Sequence, residues 1–172
     1  AGCNNISVFL DGSGSASITA ADVDGGSSDN CSIVSSSVST STFSCTDLGT
    51  NTVVLTVADS SGNSDTCSAV VTVTDTTAPT AICQSVTGFL DSTGNATISA
   101  SDVDNGSSEI CSITSTSIDS SSFACANVGI ANPVVLTVTD ASGNSDTCSA
   151  NVTVLDSIAP VAVCQDITLA LD

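Results

Sequence analysis

The sequence predicts an all-β chain: tandem immunoglobulin-like β-sandwich domains with intradomain disulfides, plus a C-terminal strand. Three observations carry this. "FLDGSGSASITAADVDGGSSDNCSI" returns as "FLDSTGNATISASDVDNGSSEICSI", and "VVLTVADSSGNSDTCSAVVTVTD" as "VVLTVTDASGNSDTCSANVTVLD". Self-similarity at a fixed period marks a repeat architecture. Within each copy, short runs alternate apolar and polar residues between Gly-, Ser- and Asp-rich turns, the period of half-buried strands. The nine cysteines keep the same register, at 3, 31, 45, 67, then 83, 111, 125, 148, then 164. The offset is 80 residues and becomes 81 after an insertion near Pro133.

The elements follow in order. Ile6, Val8 and Leu10 share one face of a first strand, and Ile18 and Ala20 face inward on a second. "DVDGGSSDN" is a polar loop. "CSIVSSSV" and "TFSC" read as a hairpin, Val53, Leu55 and Val57 alternate in the next strand, and "DSSGNSD" is a turn in which Gly62 supplies positive φ. Ala69, Val71 and Val73 complete the last strand. Roughly six or seven strands per copy fit a small immunoglobulin-like sandwich. "DTTAP" (75–79) and "DSIAP" (156–160) are short linkers stiffened by proline. The domains are therefore 1–78, 79–159 and a segment 160–172 that reads as the first strand of a third repeat or as an intersubunit strand.

Composition removes several functions. The chain has no Lys, Arg or His against 18 acids, a formal net charge of −18. Nothing in it neutralises phosphates, which excludes nucleic acid as a partner, and nothing attracts anionic headgroups. No apolar window reaches spanning length, so no direct membrane insertion is expected. Each carboxylate must be solvated, accept backbone N–H groups or bind a metal. With no histidine to shuttle protons and no lysine for a Schiff base, and with its acidic pairs in duplicated loops, the chain is not expected to be an enzyme. Nine cysteines in an acidic, Ser/Thr-rich chain point to an oxidising, extracellular or cell-surface setting. Residue 1 is Ala rather than Met, which fits a processed protein or a fragment.

"DVDNGSS…C", "LTVTDASGNSDTC" and "VTVxDxxAP" resemble the HYR-like, immunoglobulin-like tandem repeats of secreted and cell-surface proteins of Bacteroidota-type bacteria. The resemblance covers essentially the whole chain. It implies stalks, spacers or adhesive modules rather than one defined activity.

Geometry selects among the cysteine pairings. Cys31 opens one strand of the expected hairpin and Cys45 closes the other, which places them opposite each other. A last strand of eight residues spans roughly 26 Å, whereas bridged Cα atoms lie about 6 Å apart; this excludes Cys67–Cys83. The expected bonds are Cys3–Cys67, Cys31–Cys45, Cys83–Cys148 and Cys111–Cys125, each contributing about 3–4 kcal/mol on the chain-entropy model. Without a CxxC pair or a histidine, zinc is poorly supported.

The loops 22–30 and 102–110 place acids at i, i+2 and i+7: Asp22, Asp24 and Asp29, then Asp102, Asp104 and Glu109. Carboxylates so spaced around glycine suit Ca²⁺, although the same residues also serve as turn formers. Asp59 and Asp140 precede "SGNS" turns and read as turn caps. Asp75 and Asp156 lie at the junctions, where an interdomain calcium is an alternative. Asn5, Asn30, Asn95, Asn105 and Asn151 fit the N-glycosylation triplet. The resemblance implies an O-glycosylation motif of Asp, Ser/Thr and a third residue, which Thr76, Ser92 and Ser157 fit.

In the last segment, "CQDITLALD" aligns with "CNNISVFLD" and "CQSVTGFLD". Ile167, Leu169 and Leu171 put three apolar side chains on one face, whose exposure forgoes roughly 5–8 kcal/mol of burial. Together with Cys164 they are candidates for an intersubunit contact with another sheet. The expected function is a structural subunit of an extracellular filament, stalk or adhesin shaft. Its partner is itself, joined head to tail, or a longer array of the same repeats. A calcium-dependent module binding carbohydrate or another partner is the alternative, with glycans as possible partners.

Overall fold

The structure, a computed structural model, describes residues 1–169. In the first repeat, β1 (Ile6–Phe9), β2 (Ser15–Ser17), a single helical turn α1 (Ala20–Val23), β3 (Ile33–Val38), β4 (Thr42–Ser44), β5 (Gly49–Asp59) and β6 (Ser64–Thr74) follow in order. The second repeats them as β7 (Val86–Phe89), β8 (Asn95–Thr97), α2 (Ala100–Val103), β9 (Ile113–Ile118), β10 (Ser122–Ala124), β11 (Asn132–Asp140) and β12 (Ser145–Leu155). Each repeat is a sandwich of a four-stranded sheet, ordered β1-β6-β5-β3 or β7-β12-β11-β9, over a two-stranded sheet, β2-β4 or β8-β10.

The long β5–β6 hairpin is the spine. Val53, Leu55 and Val57 on β5 and Ala69, Val71 and Val73 on β6 are all buried, on the period-two face the sequence shows. Phe43 comes from the small sheet, and Leu10, Ile18 and Val23 close the ends of the same core. The first strand lies parallel to the last, with Ile6 opposite Val71 and Val8 opposite Val73. A parallel neighbour needs a long crossover, and here the whole repeat supplies it. Leu90, Val103, Phe123, Val134, Leu136, Val138, Val152 and Val154 rebuild the core in the second copy.

Two local expectations change. The stretch read as a second strand through Ala20 ends at Ser17 and turns into α1, because Asp22 accepts hydrogen bonds from the N–H and hydroxyl of Thr19 and closes a capping box. Val23, inside the loop read as wholly polar, is fully buried. The expected hairpin also does not form: β3 pairs with β5, whereas β4 pairs with β2. Ser39 gives the chain its exit, donating its N–H to Val54 and accepting the Val54 N–H, and the chain then crosses to the other sheet.

That crossing corrects the cysteine pairing. Cys3–Cys67 and Cys83–Cys148 tie the start of each repeat to its last strand, with Cα atoms 5.8 and 5.9 Å apart. Cys31–Cys45 and Cys111–Cys125 do not form, because one member of each pair precedes a strand of the large sheet (β3 or β9) and the other follows a strand of the small sheet (β4 or β10). Cys45 bonds Cys111 of the other repeat instead (Cα–Cα 5.1 Å), and Cys31, Cys125 and Cys164 are exposed free thiols. The expected C-terminal strand is also absent over the described residues. From Ser157 to Leu169 no strand forms, and Val161, Ile167 and Leu169 are 88%, 79% and 82% exposed. A first strand needs a last strand beside it, and both last strands already hold their own. Leu171 lies outside the described residues.

Leu55 is fully enclosed while Val34 faces solvent. Leu55→Ala should cost about 2–5 kcal/mol in chemical denaturation, and Val34→Ala should stay within about 0.5 kcal/mol of the parent.

Candidate functional site

The contacts between the two repeats gather around the linker and the loop before β9. The first repeat contributes a receiving face. Gly14, in the Asp11 turn, holds φ +74, and a Cβ there would come within 2.5 Å of Ile110 Cγ2 and 3.0 Å of Cys45 Sγ. Only glycine fits both the backbone and the space. Cys45, opening a 3-10 turn capped by Ser44 and Asp47, presents its sulfur beside it. The second repeat contributes the loop before β9, whose Ile110 and Cys111 fill this notch; Cys111 packs on the first repeat's core.

The linker is pinned along the second repeat. Asp75 Oδ1 accepts the Thr77 N–H at 2.9 Å. Asn144, in the β11–β12 turn, donates to the carbonyls of Asp75 and Thr77 at 3.2 Å and to Asp140 Oδ2 at 2.8 Å. Thr80 and Ser108 exchange backbone bonds, and Ala81 donates its N–H to Asp146 Oδ2. Pro79 is buried against this edge.

Some of these residues recur at the outer ends, as Asp156, Asp59, Asn63, Gly94, Cys125 and Cys31, without a second repeat against them. Asp75 and Asp140 are buried, but their equivalents Asp156 and Asp59 are exposed and half-buried. Asn63 keeps its bond to Asp59 Oδ2 and, among the described residues, has no linker carbonyl to hold. A groove lined by Ala1, Asp29, Asp59 and Asn63 lies beside it. At the other end, Leu90, Gly94, Asp156, Ile158 and Pro160 surround the Cys125 thiol in a second groove. Gly94 there would meet only Cys125 Sγ. The chain therefore carries one filled joint and the two unfilled halves of the same joint.

The acidic loops do not form the expected calcium cages. Asp22 caps α1, Asp24 accepts the N–H groups of Gly26 and Ser27, and Asp29 accepts that of Cys31. Asp102 and Asp104 repeat this on Ser99 and Ser107. Each carboxylate serves its own turn. The N–H and hydroxyl of Thr19 hold the Asp22 carboxyl below its usual range, and those of Ser27 do the same for Asp24; the hydroxyls and N–H groups of Ser99 and Ser107 act likewise on Asp102 and Asp104. Glu109 differs. Its Oε2 accepts the N–H groups of Cys111 and Ser112, and it faces the linker rather than Asp102 and Asp104. Among the described residues the one set of three potential ligands is Asp75, Glu109 and Cys111.

Of the glycosylation candidates, Asn5, Thr76, Ser92, Asn95 and Ser157 are all exposed. Asn5 Oδ1 already accepts the Val70 N–H. Sequence reasoning missed the junction partners Gly14, Ile110 and Asn144. One signal was available: an apolar Ile110 stands where the first copy has Asn30, in a loop otherwise polar.

No protein-family model and no curated protein matches the chain. Among solved structures, an I-band fragment of titin is similar with a TM-score of 0.33 and 13% identity over 90% of this chain and 64% of that one. The mouse clustered PcdhgC3 fragment scores 0.31 with 19% identity, covering 67% of this chain and 48% of that one. Fibronectin(III)-like modules of Clostridium thermocellum CbhA score 0.27 with 11% identity over 96% of both chains. This chain thus spans less than two thirds of the titin and PcdhgC3 chains. The fold stands on its own strand order and pairing.

The lowered carboxyls fix a sign for acid stability. Groups whose folded pKa is depressed stabilise above the unfolded value of about 3.9 and lose that contribution as pH falls through the folded value. Relief of repulsion in a chain of net charge −18 works the other way, and salt removes it. In about 1 M NaCl, Tm should be flat above about pH 5 and fall below about pH 4; a Tm that rose on acidification in that salt would contradict the capping role.

Proposed function

We propose that the chain is a structural piece of an extracellular filament, stalk or adhesin shaft, built from disulfide-stapled immunoglobulin-like repeats joined head to tail. The observation that carries this is the match between the filled joint and its two open halves. Cys45 and Cys111 are bonded at the joint; their equivalents Cys125 and Cys31 are exposed thiols on opposite repeats. The Asp75 linker is gripped by Asn144; Asp156 accepts the Ile158 N–H of its own turn, as Asp75 accepts that of Thr77, but no asparagine holds its carbonyl among the described residues.

Added repeats of the same kind supply what each end lacks. A following repeat presents a Cys31-type loop to the Gly94 notch, forming a Cys125–Cys31 bond. The segment 161–172 has the pattern of a first strand, whose place in both repeats is parallel to a last strand and disulfide-bonded to it. Cys164 is then the match for a Cys67-type thiol. Three disulfides support an oxidising, extracellular location, and no helix among the described residues is long and apolar enough to cross a membrane. The repeated chain has the character of a one-dimensional array, in which each unit touches only its neighbours.

Oxidation by glutathione disulfide, which accepts the two electrons and two protons as two glutathione thiols, should convert the chain into a ladder of oligomers on non-reducing electrophoresis. Peptide mapping should find Cys125 joined to Cys31. Cys125→Ser should stop the ladder while Cys45–Cys111 still forms. Wild-type chain that remains monomeric with both thiols free would reject the proposal.

A further inference from the structure

The joint holds one polar atom that the protein itself does not satisfy. Asp75 is 3% exposed, and its Oδ2 is buried without a hydrogen-bond partner among the described residues. A buried ionised carboxylate is costly unless paired. The usual partner is absent by composition, because the chain has no Lys, Arg or His. The cation of the described chain start, the Ala1 ammonium, is held by Asp65. Asp75 is not alone either: a carboxylate oxygen of Asp75 and one of Glu109 lie within 4.8 Å of each other and of Cys111 Sγ. Two acids at that spacing with no protein cation repel, and the chain nonetheless folds them together at a buried linker position.

We propose that the Asp75–Glu109 pair is a site for a hard divalent cation, Ca²⁺ ahead of Mg²⁺, set between the two repeats. The ligand chemistry selects the class. Cys111 sulfur is committed to Cys45, so it offers no thiolate to a soft metal. What remains are carboxylate oxygens, with Glu109 Oε2 oriented by the Ser112 N–H at 2.8 Å. The groove along Thr77, Ala78 and Thr80, facing Ser108, Glu109 and Ile110, opens to solvent on the Glu109 side of the pair, the route for the waters that so few protein ligands require. A site with few protein ligands on a linker and a loop, rather than a rigid octahedral cage, suits the tolerant geometry of Ca²⁺. The cation bridges an acid of the linker to an acid of the second repeat. It thereby fixes the joint beside the disulfide and offsets the local charge. This site is distinct from the loop acids Asp22, Asp24, Asp102 and Asp104, each of which serves a turn.

Calorimetry of the full oxidised chain, stripped with EDTA and held at constant ionic strength, tests this. Ca²⁺ should raise Tm saturably, by about 5–10 °C at a hundredfold excess over Kd, and Mg²⁺ by less. Glu109→Gln should abolish the saturable rise, and so should Asp75→Asn. Asp29→Asn, at the equivalent loop of the first repeat where no linker is bound, should keep it. Three results would overturn the site: no rise beyond that given by matched NaCl; a full rise retained in Glu109→Gln; or a response to Zn²⁺ alone, which would place the ligand at sulfur.

Discussion

The bond between Cys45 and Cys111 depends on where two strands part. After β3 the chain leaves the large sheet and enters the small one as β4, so the two middle cysteines of a repeat end on different layers. Neither can reach the other, and each is turned toward an end of its own domain. Cys45 of the first repeat lies beside Gly14, and its partner Cys111 comes from the loop before β9 of the second. A disulfide spanning 66 residues of sequence constrains the unfolded chain by about 4 kcal/mol on the entropy model. Its larger consequence is architectural, because it sets the spacing and orientation of successive repeats. The notch at Gly14, the grip of Asn144 on the linker and the burial of Asp75 all lie around it.

The second constraint is electrostatic. A chain of net charge −18 without a basic side chain folds only if its acids are given other partners. Most find them locally, as Asp11, Asp59, Asp91 and Asp140 do by accepting two or more N–H groups of their own turns. Such bonds keep the turns closed without asking anything of neighbouring repeats. Asp75 departs from the pattern: one oxygen is satisfied by its own turn and the other is buried. That departure falls at the joint, where a repeat meets its neighbour.

Much of this was legible in the sequence. The repeat register, the alternating faces of β5 and β6 and the tie of Cys3 to Cys67 follow from period and reach alone, since Val53, Leu55 and Val57 can share a face only in a strand. The pairing of β3 was not legible. Its short, Ser-rich alternation fits a partner on either side, and nothing local told β4 from β5 as its neighbour. The inter-repeat bond was hidden behind that choice, because a repeat with four cysteines invites closure within itself. The acids of 22–30 were misleading for a related reason: Asp at i and i+2 serves a capped turn as well as a cage, and only the positions of Thr19 and Ser27 decide between them.

The pairing of Cys45 is the direct test of the whole account. With no Lys or Arg, trypsin has no cleavage site, but cleavage before aspartate yields fragments 29–46, 104–118 and 119–139. Mass spectrometry of the unreduced digest should find 29–46 joined to 104–118, with Cys31 in the same fragment as a free or intermolecularly bonded thiol. An internal bond within 29–46, accompanied by 104–118 joined to 119–139, would return both cysteine pairs to single repeats and dissolve the joint.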